Sequence, residues 1–128
     1  MAARIKTTRR KTPEQDIQRA VAQYLDAART KEWFWFFVPN GGNLSKAQSG
    51  IFKACGLKPG IPDLVLLHKG RAWGIELKSP KGRLSVDQIR THELLKMAGM
   101  TTMVAYSVGH VEACLEIFGI PSRIKRAS

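Results

Sequence analysis

The chain has 128 residues, a mass of 14.3 kDa and 44% hydrophobic residues, which suits one domain with a core of its own. No apolar stretch approaches the ~18 residues of a membrane span, and the N-terminus lacks the apolar core of a secretory signal. Its 21 Lys and Arg against 10 Asp and Glu give a formal charge of +11, the usual electrostatic footprint of a nucleic-acid-binding protein.

The positive charge is concentrated at the two ends of the chain. Residues 1–11 form a basic arm and residues 120–128 a basic tail, so we expect the folded domain over residues 12–119. Arms of this kind usually stay disordered until they meet phosphates. The alternative to nucleic-acid binding is that this charge only keeps the protein soluble, or that it contacts acidic membranes.

The first part of the domain predicts a helix, a strand and a short helix. Thr12 is a suitable N-cap, and apolar residues at helical spacing continue the helix to about residue 31. Residues 33–38 form an aromatic strand that is apolar on both faces, which implies burial or cover by a partner. A turn at residues 39–42 ends it. A short helix follows over residues 45–55, and its expected inward side chains are Ala47, Ile51 and Cys55.

A β-hairpin follows. Residues 64–67 and 71–77 have strand composition, and Lys69-Gly70 between them is suited to a two-residue turn. Such a turn pairs His68 with Arg71. Each step outward from the turn then pairs the next residue on one strand with the next residue on the other, along the whole hairpin.

The remaining elements complete an α/β domain. Ser85 and Gln88 form a capping box that begins a helix over residues 85–98, with Gln88 on the inward face. A strand over residues 101–106 and a helix over residues 110–118 follow. The order is α-β-α-β-β-α-β-α. Because two strands joined by a helix need a crossover, we expect a mixed sheet flanked by helices on both faces.

The hairpin register brings three charged residues together. Asp63 lies directly opposite Glu76, with their β-carbons about 5 Å apart, and Lys78 shares the same face. Two carboxylates this close repel each other unless a cation lies between them, and Mg²⁺ or Mn²⁺ prefers such ligands. A bound metal activates water and neutralises charge on a phosphate, while Lys78 could assist the water or the transition state. The pattern therefore favours phosphodiester hydrolysis.

These residues resemble a known nuclease signature. Pro62-Asp63 with Glu76-Leu77-Lys78 resembles the PD-(D/E)xK motif, and the wider pattern resembles its VRR-Nuc branch, the virus-type replication-repair nucleases. The resemblance covers roughly residues 13–107. The positions that carry it are Glu14, the Gly60-Ile61-Pro62-Asp63-Leu64 segment, Glu76, Lys78 and Gln88.

The resemblance implies a restriction-endonuclease-like three-layer α/β sandwich with bound Mg²⁺ or Mn²⁺. Lys78 would serve the nucleophilic water, and Gln88 would lie beside Lys78. The implied metal ligands are Asp63, Glu76, the Leu77 carbonyl and, directly or through water, Glu14.

The implied function is a metal-dependent DNA endonuclease of replication, recombination or repair. Family members of this size suggest a homodimer that cuts branched substrates such as Holliday junctions. The expected location is a bacterial or phage-infected cytoplasm. The sequence does not identify helicase or replication partners. A non-catalytic nucleic-acid-binding module is the alternative. Single positions have ordinary explanations too: the helix dipole for Glu14, the capping box for Gln88, an ion pair for Lys78 and a turn for Asp63.

Several further side chains are candidates for lesser roles. One set contains basic residues near the predicted site, which could contact phosphates or form a solvated face. A second set lies in the turn before the short helix, which could approach the substrate or simply be a turn. The first set is Lys46, Lys53, Lys58, Lys81 and Arg83, and the second is Asn40 and Gly41. We interpret His68, His92 and His110 as structural or surface residues. Cys55 and Cys114 lack metal-ligand spacing and are expected to be reduced, partly buried thiols, as in the cytosol.

Overall fold

The computed structural model describes residues 13–39 and 44–124. Within them four helices and four strands follow one another in the expected order. They are α1 (Pro13–Ala28), β1 (Trp33–Phe37), α2 (Lys46–Ala54), β2 (Leu64–His68), β3 (Arg71–Leu77), α3 (Val86–Met97), β4 (Thr101–Ala105) and α4 (Val108–Phe118). The N-cap predicted at Thr12, the turn residues 40–42, the basic arm and residues 125–128 of the tail lie outside the described residues. None of the helices described is long and apolar enough to cross a membrane.

The four strands form one mixed sheet in the order β1-β2-β3-β4. The pairs β1–β2 and β2–β3 are antiparallel, and β3–β4 is parallel. A parallel pair needs a crossover connection, and α3 supplies it. The predicted mixed α/β sheet is therefore confirmed.

The predicted hairpin register is also confirmed. His68 pairs with Arg71 and Leu64 pairs with Ile75. Lys69 and Gly70 both have positive φ, 50° and 75°, which is the backbone of the two-residue turns whose twist matches that of the strands. The short turn therefore fixes the pairing all along the hairpin.

The hydrophobic core lies on one face of the sheet, under α1 and α4, which contact each other. Alternate residues of β3 point into this core, and the residues between them point to the other face, where α3 lies. The domain is thus a three-layer sandwich of two helices, a sheet and one helix. The largest core side chains include Val21 and Leu25 of α1, Leu64, Leu66 and Ile75 of the sheet, and Val111 and Leu115 of α4.

Two helix boundaries differ from the sequence prediction. Helix α1 ends at Ala28 instead of near residue 31, because the chain turns there and the Thr30 hydroxyl accepts the backbone N–H of Glu32 at 3.1 Å. Helix α4 begins at Val108 instead of residue 110, because the Ser107 side chain accepts a backbone N–H of its first turn and serves as its N-cap.

Helix α2 forms where predicted but is not buried. Ala47, Ile51 and Cys55, which we expected to face inward, are exposed, and Ile51 has 60% of its surface accessible. Among the described residues α2 packs extensively on no other helix or strand, so its apolar side has no core to join. Of the two free cysteines, Cys114 is buried as expected, and the expectation for Cys55 is wrong.

Strand β1 lies at the edge of the sheet. Phe34, Phe36 and Phe37 expose 58%, 41% and 46% of their surfaces, so the prediction of a strand buried within its own chain is wrong for these three. The physical reason is position: an edge strand has a neighbour on one side alone, and no described helix covers the face that holds Phe34 and Phe36. The alternative, cover by a partner, stays a prediction.

Adjacent leucines of β2 test the assignment of the two faces. Leu66 is fully buried, so Leu66→Ala should lower the free energy of unfolding by about 2–5 kcal/mol. Leu67 points to the other face and is 43% exposed, so Leu67→Ala should cost about 1 kcal/mol or less. Urea denaturation of both variants measures the difference, and equal losses would contradict the assignment.

Candidate active site

Asp63 and Glu76 meet on the sheet face opposite the core. Glu76 lies in β3 between two core residues, so its side chain points away from the core, yet it is only 2% exposed. Asp63 precedes β2, and its carbonyl accepts the backbone N–H of Val38 at 2.7 Å, which anchors this residue to the end of β1. A side-chain hydrogen bond joins the two carboxyl groups. The sequence-predicted pair is therefore present in the structure.

The position of Asp63 depends on how Pro62 packs. Pro62 is buried over Gly74 of β3, and a β-carbon on Gly74 would lie 2.7 Å from the Pro62 Cγ, too close for any larger residue. The absence of a side chain at Gly74 thus lets the Pro62-Asp63 segment lie flat against β3. Asp63 Oδ2 then accepts the Leu77 backbone N–H at 2.8 Å.

This last bond also orients the Leu77 carbonyl. In a strand the N–H and C=O of one residue point to the same side, as antiparallel pairing requires. Because the Leu77 N–H points at Asp63, its carbonyl oxygen is directed to the same edge of β3. The Leu77 carbonyl is therefore expected at the same edge of β3 as the Asp63 carboxylate.

Burial and crowding favour a protonated Glu76 in the metal-free protein. Loss of hydration, the hydrogen bond that protonated Glu76 donates to the Asp63 carboxylate, and the negative charge of Asp63 raise the pKa of Glu76 from 4.5 to about 9. The positive charge of Lys78 acts in the opposite direction, and the charge of Glu14 adds to the rise. A cation placed between the two carboxylates would remove this penalty.

Helix α3 contributes Gln88 to the site. The Gln88 Nε2 donates to Glu76 Oε2 at 3.2 Å, while its Oε1 accepts the backbone N–H of Ser85 at 2.8 Å. Ser85 in turn accepts the Gln88 N–H, which completes the predicted capping box. The predicted cap is thus confirmed, and it fixes the side chain that contacts Glu76; a role of Gln88 in catalysis stays a prediction.

The loop before β2 holds the start of α3 in place. Gly60 has a φ of 82°, and a β-carbon there would collide with the backbone carbonyl of Asp87. One turn further along α3, the Thr91 hydroxyl donates to the Pro59 carbonyl at 2.6 Å. These two contacts set the distance between α3 and the sheet. They thereby place the Gln88 side chain within hydrogen-bonding distance of Glu76.

His92 also lies at the site, which the sequence interpretation missed. Its Nε2 is 3.4 Å from Glu76 Oε1, its side chain is 10% exposed, and burial lowers its pKa, so it favours the neutral form. The available signal was its spacing, since His92 follows Gln88 by one helical turn and shares its face. The other histidines fit the structural interpretation: His68 is buried beside Trp73, and His110 Nδ1 accepts the Tyr106 N–H at 3.0 Å.

Lys78 and Glu14 both lie near enough to Glu76 for their charges to act on its pKa. The Lys78 N–H donates to the Ala105 carbonyl at 3.0 Å, which continues the pairing of β3 with β4 and keeps the Lys78 side chain on the face of Glu76. Glu14, in the first turn of α1, is exposed and acts on Glu76 through its charge. A β-carbon on Gly82 would lie 3.3 Å from Glu14 Oε1, so this carboxylate borders the loop that follows β3.

The donor set fits a hard divalent cation. No group of three or more His, Cys, Asp and Glu side chains within residues 13–39 and 44–124 could hold a metal ion. Mg²⁺, however, is usually bound by one or two carboxylates together with waters and substrate phosphate oxygens. Asp63, Glu76 and the Leu77 carbonyl meet that need, and Glu76 Oε1 is a buried oxygen without a hydrogen-bond partner in the described chain.

Four of the predicted basic side chains lie near Gln88 or near the loop at Glu14. Lys53 and Lys58 line a cleft of about 290 Å³ that reaches Gln88. Lys81 and Arg83 adjoin Gly82, on the side of Glu14. Of the other predicted contacts, Lys46 is exposed at the start of α2 and does not line this cleft, and Asn40 and Gly41 lie outside the described residues.

Comparison with known proteins identifies relatives. The family model of the VRR-NUC domain matches residues 12–109. Among solved structures, a VRR_NUC domain protein is similar with a TM-score of 0.66 at 20% identity, over 86% of this chain and 90% of that one. A second VRR_NUC domain gives a TM-score of 0.56 at 20% identity, over 83% and 97%. No curated protein matches the chain.

The raised pKa of Glu76 predicts how the stability of the metal-free protein depends on pH. Between the unfolded value of 4.5 and the folded value of about 9, the folded state binds the extra proton, so stability falls as pH rises through this window. We expect Glu76→Gln to remove this fall, as measured by urea denaturation in EDTA at several pH values. Glu93→Gln, an exposed position on α3, is the control. Identical pH profiles for the wild-type and Glu76→Gln proteins would contradict the assignment.

Proposed function

Since the chain belongs to the VRR-NUC domain family, a nuclease family, we propose that it is a metal-dependent phosphodiesterase that hydrolyses DNA as an endonuclease. The observation that carries this proposal is the buried Glu76 carboxyl group, hydrogen-bonded to the half-buried Asp63, with Lys78 on the same face. The family match supports the class of reaction, and the geometry supports the residues.

In this proposal Asp63, Glu76 and the Leu77 carbonyl hold Mg²⁺ or Mn²⁺, and Glu14 contributes directly or through a water. The bound ion would supply positive charge against the phosphate and lower the pKa of a water. The protein's share of the work is to fix the ligands: Asp63 accepts the Leu77 N–H, and Glu76 accepts a hydrogen bond from Gln88.

Lys78 has the role nearest to the chemistry. Its ammonium group, on the face of Glu76, would orient the attacking water and stabilise the negative charge that grows on the phosphate oxygens. An ordinary surface ion pair does not explain its position, because its partner Glu76 is buried. Gln88 lies on the other side of the Glu76 carboxyl group and keeps it oriented.

The basic side chains support a path for the nucleic acid across the site. Lys53 and Lys58 would meet phosphates on the side of Gln88, and Lys81 and Arg83 would meet them on the side of Glu14. The formal charge of +11 would add a sequence-independent attraction that weakens with salt. Lys46, Asn40 and Gly41 stay as proposed contacts.

A non-catalytic binding module is the competing function. Such a module gains affinity from exposed cations, and it has no need of a buried Glu76 carboxyl group beside Asp63, since negative charge there repels phosphates. The burial of Glu76 thus favours catalysis over binding alone.

We also propose that the enzyme acts as a homodimer on branched DNA such as a four-way junction. A symmetric junction needs two cuts, which two sites related by a two-fold axis can supply. The edge strand β1 supports a self-complementary surface, because within residues 13–39 and 44–124 it pairs with β2 alone, and its Phe34 and Phe36 side chains are exposed. The free thiols agree with a cytoplasmic setting.

The nuclease proposal predicts loss of cleavage when the site is altered. Asp63→Ala and Lys78→Ala should each lower the cleavage rate by at least about 100-fold while the protein still binds DNA. The assay uses four-way, flapped, duplex and single-stranded DNA with Mg²⁺, with Mn²⁺ or with EDTA.

Lys96→Ala, which removes one exposed charge from the last turn of α3, is the matched control and should cleave like the wild type. The binding-module alternative predicts no cleavage of any of these substrates. Cleavage that persists in EDTA or in both site variants would also contradict the proposal.

The dimer proposal predicts that a charge on β1 separates the two copies. Phe34→Asp combined with Phe36→Asp should convert a dimer into a monomer in sedimentation velocity, because a buried unpaired charge disrupts an apolar interface. Met97→Asp, at a site 83% exposed on α3, should leave the dimer intact. A wild-type monomer at all concentrations would refute it.

A further inference from the structure

We propose that His92 is a positioning residue that, together with Gln88, fixes the Glu76 carboxylate for binding a divalent cation. This inference rests on the proposed function, and it assigns to His92 a role through Glu76, with no direct contact to DNA or metal. Among the residues that the structure describes, His92 is a buried polar group at the site that the proposed chemistry does not use.

The geometry of α3 supports a paired role. Gln88 and His92 are one helical turn apart and approach different oxygens of the same carboxyl group, Gln88 at Oε2 and His92 at Oε1. The distances are 3.2 Å for Gln88 and 3.4 Å for His92. One helix face therefore offers one donor to each oxygen.

The positions of the two atoms support a direct hydrogen bond between His92 and Glu76. In the described part of the chain, His92 Nε2 and Glu76 Oε1 are both buried and neither has a hydrogen-bond partner. They lie within 3.4 Å of each other, so a shift of a few tenths of an ångström aligns a bond between them. Such a bond would hold Glu76 Oε1 from the side of α3, while Gln88 holds Oε2.

Ordinary packing is the alternative for His92. An apolar residue of similar size would then serve equally well, since α3 already packs on the sheet through other contacts such as Thr91 with the Pro59 carbonyl. A hydrogen-bonding role instead requires a donor at this position. The packing role predicts equal metal affinity for apolar and donor residues at position 92, and the hydrogen-bonding role predicts weaker metal binding for the apolar residue.

The test compares His92→Leu with His92→Gln in the full chain. His92→Leu keeps the volume and removes the donor, whereas His92→Gln keeps a donor. Calorimetric titration with Mn²⁺ should show about 10–100-fold weaker binding for His92→Leu and less than about 3-fold for His92→Gln, as is typical of groups that orient metal ligands. At saturating Mn²⁺ the DNA cleavage rate of His92→Leu should return to within about 3-fold of the wild type, since His92 does not touch the reacting atoms.

Glu93→Gln, the exposed neighbour on α3, controls for a change in the helix and should bind Mn²⁺ like the wild type. If His92→Leu does not fold, His92→Met against His92→Gln makes the same comparison. Equal Mn²⁺ affinities in the apolar and donor variants, with a wild type that binds Mn²⁺ and cleaves DNA, would overturn the role of His92 alone. A wild type that neither binds Mn²⁺ nor cleaves DNA would overturn the proposed function with it.

Discussion

Two carboxyl groups in contact inside a folded protein are the constraint on which the rest of this structure depends. Asp63 and Glu76 share a hydrogen bond in a place where Glu76 is almost fully shielded from water. Alone, such a pair weakens the fold once it ionises, because burial and mutual repulsion both oppose the charge. In the proposed function, a divalent cation bound between the two carboxylates would remove this repulsion.

The fold holds the pair from three directions. The opposite face of the sheet carries the apolar core under α1 and α4, which gives β3 a rigid base. Pro62 packs on Gly74, and this contact brings Asp63 to the end of β3. Helix α3, held by the loop at Gly60, places Gln88 over the Glu76 carboxyl group. Sites held by packed elements keep their geometry better than sites on loops.

The sequence predicted those parts whose geometry is local. A two-residue turn at Lys69-Gly70 sets the register of the hairpin, so the meeting of Asp63 and Glu76 followed from counting along the chain. The capping box likewise located Gln88, because its spacing is internal to the helix. His92 was missed, since its helical spacing acquires meaning only once Glu76 is known to lie across from α3. The exposure of Ile51 and Phe34 depends on which elements pack against α2 and β1, and tertiary context alone decides that.

Proton release on metal binding tests the central claim most directly. At pH 7 the raised pKa of about 9 keeps Glu76 protonated in the metal-free protein, and a carboxylate must lose its proton to bind a cation. Calorimetric titration with Mn²⁺ in buffers of different ionisation enthalpy counts the protons released. The structure predicts about one proton per bound cation in the wild type, and close to none in Glu76→Gln. Failure to bind Mn²⁺, or binding by the wild type without proton release, would contradict the account.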